Sequence, residues 1–172
     1  GPERLPRPVP YIYSKEEIQG LLQAAANYGR HPLCGQTYST VFGLLASTGL
    51  RVSEAIHLRN ADVTADGLVI RFAKFRKSRL VPLHRTVRAR LERYLKQRRR
   101  YTPFDDHVFI SSRQKPLAIG DVERAFRSAA DKIGLRRGPG LPRPKLHALR
   151  HTFAVRALQA CPADRDRITQ HM

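Results

Sequence analysis

Apolar residues recur at helical spacing in several stretches of the chain and alternate in one. Ile18, Leu21, Leu22 and Ala25 share a face, and Ser14 with Glu17 gives the S-x-x-E pattern of a capped helix start. Tyr38, Val41, Phe42 and Leu45 predict a second helix over 35–47, which Gly49 ends in a left-handed cap. A short helix over about 52–59 follows. The period then falls to two: Leu68, Ile70 and Phe72 alternate with Val69 and Arg71, and LVPL at 80–83 is a second strand. The basic turn KFRKSR joins them as a hairpin, and Pro82 marks an edge or strand end. Over 86–101, Val87, Leu91, Tyr94 and Leu95 point inward, while Arg88, Arg90, Arg93, Lys96 and the arginines at 98–100 take the other face. HVFIS at 107–111 reads as a third strand, 121–133 as an amphipathic helix stopped by Gly134, and 146–160 as a last helix. The expected class is mainly α with a small antiparallel β-sheet, α+β. Residues 1–13, with prolines at 2, 6, 8 and 10, read as a linker or tag remnant, Gly1-Pro2 being a protease scar; 14–172 form one domain.

Composition narrows the partner. Lys and Arg number 32 against 14 Asp and Glu, giving +18 and a pI near 11.1. Such self-repulsion costs stability unless a polyanion relieves it, and nucleic acid does so with release of condensed counterions. An anionic membrane surface or an RNA-rich assembly fits the same charge. No apolar run reaches the ~20 residues of a membrane span, and the polar, proline-rich opening is unlike a signal peptide. Cys34 and Cys161 lack metal-ligand spacing and read as buried reduced thiols. The expected setting is the bacterial cytoplasm, associated with the nucleoid, with double-stranded DNA as partner and no membrane.

Three segments carry candidate chemistry. TGLRVSEAIHL (48–58) sets Arg51 at a glycine-turned corner, where a guanidinium fork suits phosphate; Glu54, three residues on, is placed to orient it. KLHALRHTFA (145–154) puts His147 and Arg150 on one helical face. His147 and His151 have metal-pair spacing, but Ala148 stands where H-E-x-x-H has its glutamate and no third ligand stands out, so no metal is expected. The hairpin turn offers Lys74 and Lys77.

In this order and spacing, the arginine, the hairpin lysine and the histidine–arginine pair resemble the catalytic domain of the tyrosine recombinases, the phage integrases and Xer-type enzymes. TGLRVSE matches the family's first arginine, FAKFRKSRLVPL its G-K-G-x-K-x-R-x-V-P-L hairpin, and HALRHTFA its H-x-x-R box. The resemblance implies metal-free transesterification without a cofactor, through a 3′-phosphotyrosyl intermediate. Its catalytic groups are Arg51, Lys74, His147 and Arg150, supported by Glu54, Lys77 and His151. DNA contacts fall to Arg76, Arg79, Arg88, Arg93, Lys96 and Lys145. Ala73 and Phe75 replace the hairpin's flanking glycines, which leaves Lys74 and Lys77 both open as the general acid.

The pattern departs from the family at its end. All six tyrosines precede the H-x-x-R box, and only His171 stands near the place of the family's later histidine. The expectation is a catalytic domain that is C-terminally incomplete, with no nucleophile in this chain. It binds DNA without cutting it and is monomeric, whereas the intact protein forms a tetramer on DNA. The competing classes are a non-enzymatic basic nucleic-acid-binding protein and a type IB topoisomerase.

Overall fold

The computed structural model describes residues 3, 10–71, 77–101, 106–135 and 138–160. In it the capping box opens α1 (Lys15–Ala26): Ser14 Oγ accepts from the Glu17 N–H at 3.0 Å, and Glu17 Oε1 accepts from the Ser14 N–H at 2.9 Å. Next come α2 (Pro32–Thr48) and α3 (Val52–Ile56), then a 3₁₀ turn (Asn60–Asp62). β1 (Val63–Thr64), β2 (Gly67–Arg71) and β3 (Ser78–Val81) form one antiparallel sheet in that order. Val63 stands opposite Leu68, and Leu68 opposite Val81. The helices α4 (Arg85–Tyr101), α5 (Ile119–Lys132) and α6 (Ala148–Ala160) complete the described fold. The mainly helical class with a small antiparallel sheet is as expected. Among the described residues, no helix is long and apolar enough to cross a membrane.

The core forms where the expected stripes meet. Tyr38, Val41, Phe42 and Leu45 of α2 are all buried, with Leu91, Tyr94 and Leu95 of α4. Phe42 meets Phe126 of α5 edge-on at 5.8 Å, and Tyr94 stacks on Phe109 at 5.4 Å. Pro82 lies just past β3, where its missing N–H costs the ladder nothing.

Two expectations are corrected. Residues 107–111 are not a strand: His107 and Ile110 make only isolated bridges, to Arg59 and Pro116. Val108, Phe109 and Ile110 are at most 1% exposed, so this apolar run fills the core rather than presenting alternate faces to a ladder. The third strand is Val63–Thr64, brought back by a turn at Gly67 (φ +139), where a Cβ would fall 2.3 Å from the Val81 carbonyl oxygen. On α4, Arg98 is 1% exposed rather than on the outer face. It lies seven residues after Leu91, two helical turns along the same stripe, and position overrode residue type.

The last residue of the lead-in is fastened to the body. Tyr13 is fully buried; its N–H donates to Thr152 Oγ1 at 2.9 Å and its hydroxyl to the Lys145 carbonyl at 2.8 Å. The Cys34 thiol is half-buried, and burial pushes its pKa up. Cys161 lies outside the described residues.

Candidate active site

The site is built on the corner between α2 and α3. Gly49 caps α2 with φ 69, its N–H bonded to the Leu45 carbonyl at 3.1 Å. A Cβ there would lie 2.4 Å from Phe153 Cδ1 of α6, so both conformation and space require glycine. Phe153 thus seats α6 directly on the corner. Three residues earlier on α6, Arg150 donates through Nε to the Gly49 carbonyl at 3.0 Å. Arg51, two residues beyond Gly49, is the exposed N-cap of α3. The fold therefore brings together two arginines about 100 residues apart in the chain.

Glu54 organises the same corner. Its Oε1 accepts the Arg51 backbone N–H at 2.9 Å. Its carboxylate also takes a two-pronged bond from Arg79 of β3, at 2.7 and 3.1 Å. Burial works to raise the Glu54 pKa. The hydrogen bonds from Arg79 and from the Arg51 N–H, with both guanidinium charges, outweigh it and hold the group below the usual glutamate range. Glu54 thus binds the Arg51 backbone and leaves its guanidinium, which has no ion pair among the described residues. Two guanidinium groups held at one corner, neither in an ion pair among the described residues, have the chemistry to take the non-bridging oxygens of a phosphodiester.

The other expected residues fall around this centre. His147 is exposed in the turn before α6, its carbonyl accepting the Arg150 N–H at 3.1 Å. It borders a groove with Phe126, Arg127, Arg143 and Lys145. His151 is half-buried one turn further on. Among the described residues, no cluster of His, Cys, Asp or Glu could hold a metal ion. Lys77 is exposed just before β3, whereas Lys74, Arg76 and His171 lie outside the described residues. Arg93, Lys96 and Lys145 are exposed. Arg88 is half-buried and donates to the carbonyls of Thr64 at 2.9 Å and Ala65 at 3.1 Å. Sequence reasoning missed the Arg79–Glu54 pair and the Gly49 carbonyl as the Arg150 anchor. Neither has a local signal, since both join residues far apart in the chain.

Comparison with known proteins places this arrangement. Residues 12–168 match the model of the phage integrase family. The candidate integrase/recombinase y4rB of Sinorhizobium fredii is 43% identical over 166 residues, covering 91% of this chain and 53% of that protein. Tyrosine recombinase XerA of Pyrococcus horikoshii is 29% identical over 161 residues, 91% of this chain and 50% of that one. The chain thus spans about half the length of the curated relatives it matches. A crystal structure of XerA recombinase superposes with a TM-score of 0.74 at 27% identity, over 93% of this chain and 54% of that one. A lambda integrase dimer bound to a COC' core site shares the fold, with a TM-score of 0.65 at 21% identity over 87% of this chain and 53% of that one. Similarity of this extent, running through the corner and the H-x-x-R helix alike, means that the chain belongs to the phage integrase family, the tyrosine recombinases.

Proposed function

We propose that the chain is the phosphate-binding part of a site-specific DNA recombinase catalytic domain and that its substrate is double-stranded DNA. The observation that carries this reading is the Arg150 Nε bond to Gly49, which fixes the second arginine at the corner presenting Arg51. Relatives sharing the fold include XerH bound to its difH substrate before and after cleavage, and a lambda integrase tetramer on a Holliday junction. We place the parent protein on DNA in the same way, as a tetramer, in the bacterial cytoplasm with the nucleoid.

In this reading a tyrosine hydroxyl attacks the scissile phosphorus. A 3′-phosphotyrosyl bond forms as the bond to the 5′-oxygen breaks, and that oxygen leaves with a proton. Arg51 and Arg150 neutralise the non-bridging oxygens, which carry more charge in the transition state than in the ground state. The hairpin lysine, Lys74 or Lys77, supplies the proton as general acid. His147 assists proton transfer or holds a phosphate oxygen, while Glu54 and His151 support the site. The covalent link conserves the phosphodiester bond energy, so rejoining needs neither a nucleotide nor a metal. Lys145, Arg93 and Lys96, with Arg76, Arg79 and Arg88, supply DNA contacts that position without reading sequence.

The nucleophile, we infer, is none of the tyrosines of this chain, all six of which precede the H-x-x-R box. Tyr13, Tyr38 and Tyr94 are at most 5% exposed, and burial raises the pKa of each, so they are poor attackers. The test uses the complete reading frame on a nicked suicide duplex carrying its site. A denaturation-resistant protein–DNA adduct is expected, absent in Arg51→Ala and in Arg150→Ala. Adduct persisting in both variants overturns the site assignment. Salt-sensitive binding without any adduct favours a non-enzymatic DNA-binding protein.

A further inference from the structure

At the end of α2 opposite the Gly49 corner, the chain builds a second concentration of positive charge. The α1–α2 turn, the loop over 111–116 and the first turns of α5 surround a cavity of about 610 Å³. Arg30, His31, Arg113, Lys115 and Arg124 line it, against one carboxylate, Asp121. That carboxylate is already engaged: Oδ1 pairs with Arg124 at 3.3 Å, and Oδ2 accepts the Ala118 N–H at 3.3 Å. Arg30, Arg113 and Lys115 are exposed, and among the described residues their side-chain charges have no partner. Gathering like charges costs folding free energy that a bound anion would recover.

Tyr38 is the independent pointer. It is 5% exposed, its ring held edge-on by Tyr28 at 5.4 Å and flanked by Phe42 at 6.5 Å, and it lines the cavity. Among the described residues its hydroxyl has no hydrogen-bond partner. The ring is buried, but the hydroxyl is not sealed in the core with it and stays open to the cavity. Tyr13 donates to the Lys145 carbonyl, and the Tyr94 hydroxyl bonds Thr37 Oγ1 at 2.9 Å. An unused O–H donor among unpaired cations is the donor set that an oxyanion completes.

We propose that this cavity is a second phosphate-binding site, in which Arg30, Arg113 and Lys115 neutralise the oxyanion and the Tyr38 hydroxyl donates to it. The 17 residues of α2 separate it from the Arg51 corner by roughly 25 Å, about seven base pairs of duplex. The phosphate is supplied either by the DNA backbone or by a free phosphorylated compound. The donor set stands whether or not the parent protein recombines DNA.

The experiment titrates this chain with inorganic phosphate and follows its backbone amides by NMR. Saturable shifts are expected at Arg30, Ser112, Lys115 and Asp121, apart from those near Arg51. Tyr38→Phe should weaken binding about threefold to tenfold, and the exposed pair Arg30→Ala with Lys115→Ala should weaken it further. If Tyr38→Phe fails to fold, the exposed pair alone carries the test. A second arm measures a labelled duplex by fluorescence anisotropy. Weaker duplex binding with a shallower salt dependence in the exposed pair, added to the loss in Arg51→Ala, assigns the site to DNA backbone. Unchanged duplex binding with lost phosphate binding assigns it to a free phosphorylated compound. No saturable shift around the cavity, or equal shifts in every variant, overturns the proposal.

Discussion

Replacing Glu54 with Gln tests whether its carboxylate organises the corner. Glu54 accepts the Arg51 N–H and holds both terminal nitrogens of Arg79, with side-chain exposures of 10% for Glu54 and 38% for Arg79. Arg79 is exposed enough for solvent to screen the pair, which holds its contribution to about 1 kcal/mol. The cap to the Arg51 N–H adds about 1 kcal/mol, of which an amide oxygen retains part. Glu54→Gln should therefore cost about 1.5 kcal/mol near neutral pH, lowering Tm by about 3–6 °C for a domain of this size. The pH dependence supplies the sharper check. The folded-state pKa of Glu54 is lowered, so its contribution is complete above the ordinary glutamate value of 4.5 and is lost as pH falls through the depressed value. Protonated Glu54 is nearly isosteric with Gln, so the Tm gap between wild type and variant should narrow on going from about pH 6 to about pH 3. Other carboxylates titrate in both proteins and largely cancel. A gap that fails to narrow in calorimetry or circular dichroism refutes the carboxylate's role.

Gly49→Ala should cost about 2 kcal/mol or more, because it forces a side chain into φ 69 and against Phe153; a Tm within 2 °C of wild type would contradict the packing described. Thr152→Val removes the acceptor of the buried Tyr13 N–H and should cost about 1–2 kcal/mol, with faster hydrogen exchange at the Tyr13 amide as the local signature. Arg150→Lys keeps the charge but loses the planar fork, so duplex binding should survive nearly intact while adduct formation by the complete protein falls at least about tenfold. Arg51→Ala should lower the slope of log Kd against log salt by about one, measured by anisotropy.

The helices were legible because their signals are local. The Ser14–Glu17 box, the Gly49 cap and the α2 stripe each lie within a few turns of chain, and each formed as read. What failed depended on the whole. Apolar HVFIS looks the same whether it joins a ladder or fills a core, and only the competing Val63–Thr64 pairing decides. Arg98 reads as surface by type, yet its place two turns after Leu91 carries it inside. At the site, motif spacing named Arg51, Glu54, His147 and Arg150. It was silent on the Arg79–Glu54 pair, which requires β3 to return beside α3, and on the union of residues 49 and 150.

The means by which each arginine is held decides what it offers a polyanion. Arg71 on Asp62, Arg79 on Glu54, Arg124 on Asp121 and Arg143 on Asp131 sit against carboxylates, so much of their field is cancelled locally. Arg90, Arg150 and Arg156 are positioned instead by neutral oxygens: the Ser39 hydroxyl, the Gly49 carbonyl and the Tyr13 carbonyl. A neutral acceptor fixes the guanidinium without offsetting its charge. With 32 basic residues and 14 acidic ones, there are too few carboxylates to neutralise every cation. The fold puts one of them, Glu54, at the corner, where it holds Arg79 through its side chain and Arg51 through its backbone. On the proposed reading the Arg51 and Arg150 guanidinium groups, neither in an ion pair among the described residues, serve a phosphate, and any substitution bringing a carboxylate within reach of either should weaken DNA binding by more than its effect on stability.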